Sequence, residues 1–79
     1  MELEFREAFL KDVKSIRNAA VKKKIAAVIS GAEKAVSLFD LKNVKKMEGS
    51  VSYYRIRIGD YRIGVKLQEK TLFFMRCLD

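Results

Sequence analysis

The chain has 79 residues, 49% of them apolar, enough for one domain with an ordinary core, and at this size folding buries only about 60% of the unfolded surface. Its lone cysteine, Cys77, has no internal partner, which fits a reducing compartment; histidine is absent, and no apolar run reaches the roughly 18 residues of a transmembrane helix. The net charge is +7 and the pI about 9.8, with a basic excess in both halves, so a polyanion or an acidic protein is the expected partner unless the lysines serve only solubility.

Met1–Phe5 alternates, with Leu3 and Phe5 set against Glu2 and Glu4, the period-2 mark of a short strand. The same stretch is acidic and mixed, unlike a secretory signal. From Arg6 the period lengthens: Phe5, Phe9, Val13 and Ile16 recur at helical spacing, predicting a helix over about 6–17. Asn18 is placed to cap a second helix over about 19–36, whose apolar stripe runs from Val21 through Ile25, Val28, Ile29 and Ala32 to Val36. Ser30-Gly31 marks a weak point in it. Lys22–Lys24 lie mostly off the stripe and read as a solvated face. So short a connection predicts an antiparallel αα-hairpin. Leu38–Ser52 is irregular, with Leu38, Leu41, Val44 and Met47 tucked under a loop, Lys42, Lys45 and Lys46 exposed, and Glu48-Gly49-Ser50 a turn.

Beyond Ser52 the pattern is β. Tyr54, Ile56 and Ile58 alternate with Arg55 and Arg57; Gly59-Asp60 is a two-residue turn; Tyr61, Ile63, Val65 and Leu67 alternate with Arg62, Gly64 and Lys66. Gln68-Glu69-Lys70 turns into Thr71–Leu78, a run so apolar that it reads as a strand covered on much of both faces. The element order β-α-α-β-β-β predicts an α+β domain over residues 1–79, with the N-terminal strand and the αα-hairpin packed on one face of an antiparallel sheet.

The turn fixes a register. Ile58 faces Tyr61, Ile56 faces Ile63 and Tyr54 faces Val65 on the core side. On the other side Arg57 faces Arg62, and Arg55 faces Gly64, diagonal to Arg62 and Lys66. Like charges directly opposite are destabilising, and neither strand carries an acid on that face. A phosphate backbone would compensate, and Gly64 leaves a gap where a ligand can approach the backbone. The plain alternative is that these arginines are solvated or pair with Glu48, Glu69 or Asp79. Of the tyrosines, only Tyr53 shares the arginine face and is placed to stack on a base.

No Gly-rich phosphate loop, CxxC motif or telling carboxylate pair occurs, and Cys77 reads as a buried, inert thiol. Arginines alone suit one reaction, phosphodiester cleavage in RNA, in which the substrate supplies its own 2′-hydroxyl nucleophile. Fixed cations then hold the phosphate and stabilise its developing charge.

The tract KKMEGSVSYYRIRIGDYRIGVKL, preceded by an αα-hairpin and followed by an apolar strand, resembles the RelE/ParE superfamily of toxin–antitoxin toxins, and the resemblance covers essentially the whole chain. It implies a small cytoplasmic toxin, without cofactor or metal, held by an acidic antitoxin that covers its basic groove. RelE-type members cleave mRNA in the ribosomal A site; ParE-type members poison DNA gyrase. By position Arg55, Arg57 and Arg62 match the catalytic basic residues, and Lys66, Arg76 and Tyr53 are further RNA contacts. The facing of Arg76 depends on whether the Gln68–Lys70 turn carries a bulge. Active RelE-type members usually continue into a short tail bearing Arg or His and then Tyr. This sequence reaches Asp79 where that tail begins, so the resemblance implies either a shortened sequence or a member with weak or no nuclease activity.

Overall fold

The computed structural model describes residues 1–49 and 51–79. In chain order it comprises β1 (Glu2–Phe5), α1 (Glu7–Ser15), α2 (Ala19–Lys34), a 3-10 turn (Leu38–Asp40), β2 (Val44–Lys46), β3 (Tyr53–Ile58), β4 (Tyr61–Gln68) and β5 (Thr71–Leu78). The strands form one sheet in the order β1-β5-β4-β3-β2. The α+β class holds, but the sheet is mixed rather than wholly antiparallel. Glu2–Phe5 pairs in parallel with Thr71–Phe74, as two strands running the same way need an intervening crossover. The second departure is β2, a three-residue edge strand in the stretch expected to be loop; Val44 pairs with Ile56 and Lys46 with Tyr54.

The helices end where their backbone groups find other partners. Asn18 caps α2 as expected, its Oδ1 accepting from the amides of Ala20 (2.9 Å) and Val21 (3.2 Å). The helix runs unbroken through Ser30-Gly31 and stops at Lys34, two residues before the expected Val36. There Asp40 reaches back, its Oδ2 accepting from the amides of Val36 and Ser37, and the Met1 ammonium donates to the carbonyls of Glu33 and Ala35. Val36 is consequently 94% exposed rather than part of the stripe. The expected Glu48–Ser50 turn falls partly on Ser50, outside the described residues.

One face of the sheet meets the helices. Phe9, Ile25, Ala32 and Leu38 pack against Ile56, Ile63, Val65, Leu72, Phe74 and Cys77, all buried. Phe9 lies 5.3 Å from Phe74, centroid to centroid. In β3 and β4 these are the inward positions of the predicted alternation, so the opposite face carries the arginines; β5, expected to be covered on much of both faces, is buried on this one face only. We predict that Ile63→Ala, at a fully buried site, lowers stability by about 2–5 kcal/mol, read as a drop in the urea midpoint with an unchanged slope.

Candidate nucleic-acid interface

The site is a consequence of register. Gly59 opens the β3–β4 turn at φ 59°, a left-handed conformation that glycine adopts without steric cost. The strands then pair Arg57 with Arg62, Arg55 with Gly64 and Tyr53 with Lys66, as the sequence predicts. The short strand β2 adds a further cation, because Lys45, expected in a loop, pairs with Arg55 and so shares its face. Lys45, Arg55, Arg57 and Arg62, with Asn43 and Val44, line a cavity of about 390 Å³. Arg57 and Arg62 are exposed and Arg55 is half-buried.

Among the described residues no ion pair neutralises this group. Among the described residues the ion pairs are Lys11–Glu7 and Arg76–Asp12, so Glu48, Glu69 and Asp79 do not serve Arg55, Arg57 or Arg62. Like-charged neighbours in water repel weakly, yet the repulsion grows in a concave, partly desolvated site. A phosphate there would accept forked hydrogen bonds from guanidinium groups already gathered around it.

Arg76 reaches the outer face by a different device. The Glu69-Lys70 turn keeps register, with Gln68 opposite Thr71. The irregularity lies higher, where Val65 pairs with Phe74 but Gly64 pairs with Arg76, leaving Met75 as an extra residue. Without that bulge Arg76 would follow Leu72 and Phe74 into the core; with it, Cys77 is buried and Arg76 is exposed.

The Arg76 head group is engaged by α1. Its Nε donates to Asp12 Oδ2 at 2.7 Å and its Nη2 to Oδ1 at 3.0 Å, while the Cys77 amide donates to Oδ2 at 2.9 Å. β1 pairs with β5 only as far as Phe74, so Asp12 caps an amide that would otherwise lie on an open sheet edge. The Arg76 hydrogen bond holds the Asp12 carboxyl below the usual carboxylate range; desolvation opposes this, and the Cys77 amide and the Arg76 charge assist. Burial, with the Asp12 charge, pushes the Cys77 thiol up, away from the thiolate a nucleophile needs.

Of the other predicted contacts, Lys66 lies with its Nζ 5.7 Å from the centre of the Tyr53 ring, a cation–π arrangement beside the arginines. Tyr54 and Tyr61 are half-buried toward the core as expected. Asp12 and Lys45 are the residues that sequence reasoning missed. Val44-Lys45-Lys46 is too short for a readable alternation, and Asp12 on α1 gives no local sign of a partner 64 residues away.

No family model matches the chain. It is 39% identical to Toxin RelE3 of Methanocaldococcus jannaschii, over 99% of this chain and 89% of the relative. This chain belongs to the RelE toxin family. Its fold superposes on the RelB-RelE antitoxin–toxin complex from Methanococcus jannaschii with a TM-score of 0.84 at 38% identity, covering 95% of this chain and 87% of that one. The intact RelBE complex of E. coli shares the fold at a TM-score of 0.76 and 17% identity, over 99% of this chain and 94% of that one.

The Asp12 anchor has a pH signature. A carboxyl whose folded pKa is depressed contributes stability that is complete above roughly pH 5, begins to fall near the unfolded value of about 3.9, and is lost as pH drops on through the lower folded value. Urea midpoints of the RelE-family chain should therefore fall more steeply below about pH 5 than those of Asp12→Asn, which keeps an oxygen for the Cys77 amide and has no proton to take up.

Proposed function

We propose that this chain is the toxin of a toxin–antitoxin pair, acts in the cytoplasm, and cleaves mRNA at the ribosome. The observation that supports this best is the cluster of Lys45, Arg55, Arg57 and Arg62 around one open cavity with no carboxylate paired to Arg55, Arg57 or Arg62 among the described residues. Arg57 and Arg62, directly opposed, hold the two sides of the scissile phosphate. As the 2′-oxygen attacks, giving its proton to solvent water, charge accumulates on the phosphate oxygens; the bond from phosphorus to the 5′-oxygen then breaks, leaving a 2′,3′-cyclic phosphate and a 5′-hydroxyl protonated by water. Guanidinium groups already in place stabilise it without having to reorganise. Arginine stays protonated throughout, so this face supplies position and charge, not a proton acceptor.

The same face suits a cognate antitoxin, an acidic segment of which would neutralise the cavity and exclude RNA. The described residues include no helix long and apolar enough to cross a membrane. A second reading, binding without cleavage as in a gyrase-directed or inactive relative, is favoured by one feature: among the described residues, those lining the cationic cavity include no imidazole and no carboxylate to act as base.

Expression in bacteria without an antitoxin should arrest growth and cut mRNA, and Arg62→Ala should lower cleavage at least about 100-fold. Growth arrest with intact mRNA and inhibited supercoiling would establish the gyrase reading instead. For each tenfold rise in salt, binding of single-stranded RNA should weaken by about 0.7 log unit per contacted phosphate. Replacing Arg55, Arg57 and Arg62 together by alanine should therefore flatten the slope by about 2, measured by fluorescence polarisation across salt concentrations.

A further inference from the structure

Beside the basic cavity the outer face holds a second one, of about 250 Å³, in which the apolar Met47, Tyr53, Met75 and Leu78 line a mostly apolar surface together with Arg55, Arg62 and Arg76. Arg55 and Arg62 line both cavities. Two backbone features coincide at the apolar one: Gly64 lacks a side chain, and the β5 bulge at Met75 lies directly across from it.

Neither conformation nor packing accounts for Gly64. Its φ is not in the left-handed region, so any residue can adopt it. A Cβ built there meets nothing within 4 Å, so no neighbour requires its absence. Glycine within a strand weakens it and forgoes packing, and what it leaves here is open apolar space flanked in its row by Arg55 and Arg76.

We propose that this cavity receives a nucleobase, that of a nucleotide whose phosphate lies against Arg55 and Arg62. The inference rests on the reading of the outer face as an RNA site and adds to it a subsite that contacts the base. Because the two cavities share Arg55 and Arg62, an occupant spanning both has to present an anion next to an apolar surface. A nucleotide does so, and its flat face can pack on thioether and aromatic walls. An acidic peptide with one apolar anchor is the competing occupant. Gly64→Val fills the space from the floor while introducing a residue that strands favour.

The test uses the full chain and a labelled 2′-O-methyl RNA trinucleotide, which lacks the attacking hydroxyl. In a matched set, each base in turn is replaced by an abasic sugar. The wild type should bind the intact trinucleotide roughly tenfold more tightly than one of the three abasic forms. In Gly64→Val that difference should vanish while the urea midpoint stays equal or rises; Gly64→Ala, the smaller change, should show a partial loss. If all abasic forms bind the wild type as well as the intact RNA, or if the preference survives in Gly64→Val, the base pocket is refuted and the phosphate site stands. If no RNA binds at all, the phosphate reading fails and takes the pocket with it. If Gly64→Val weakens an acidic, leucine-bearing peptide but leaves the trinucleotide unchanged, the cavity belongs to a protein partner and the proposal is overturned.

Discussion

In a strand of period 2 a slip of one residue exchanges the two faces. In β3 such a slip would put Arg55 and Arg57 into the core and Ile56 into water, leaving charges buried without partners. The Gly59-Asp60 turn and the buried Ile56–Ile63 pair exclude it together. The core and the cationic face are therefore set by one constraint, and neither can be changed without the other. The helices complete the arrangement by covering only the apolar side, which leaves the arginines on an open sheet.

The two edges of the sheet are handled differently, and both bear on the site. At one edge β2 brings Lys45 beside Arg55, and its exposed lysines discourage pairing with other strands. At the other edge β1 ends short of the top of β5. Asp12 takes over there, binding both the Cys77 amide and the Arg76 guanidinium. Arg76 is thus neutralised within the fold, whereas Arg55, Arg57 and Arg62 are not. Position on the face alone does not distinguish these arginines; their partners do.

Much of this was legible in the sequence because it is local. The Asn18 cap, the inward positions of β3 and β4 and the opposition of Arg57 to Arg62 all follow from spacing and one turn. What escaped depends on contacts distant in sequence. β2 exists because β3 offers it an edge, not through any pattern in Val44–Lys46. The bulge at Met75 lies in a run whose residues are nearly all apolar, so no alternation marks the change of phase. Asp12 acquires a role only once β5 lies across α1. The parallel placement of β1 is likewise a property of the assembled sheet.

We propose that RNA phosphates bind the outer face of this sheet and not the lysine-rich face of α2. The most direct measurement is an NMR titration of the isotopically labelled chain with an uncleavable 2′-O-methyl RNA, following backbone amides and arginine Nε–H groups together. The changes should centre on Lys45, Arg55, Arg57, Arg62 and Gly64, with the Asp12–Arg76 pair little affected. Changes centred on Lys22, Lys23 and Lys24, with the β3–β4 hairpin unmoved, would contradict it.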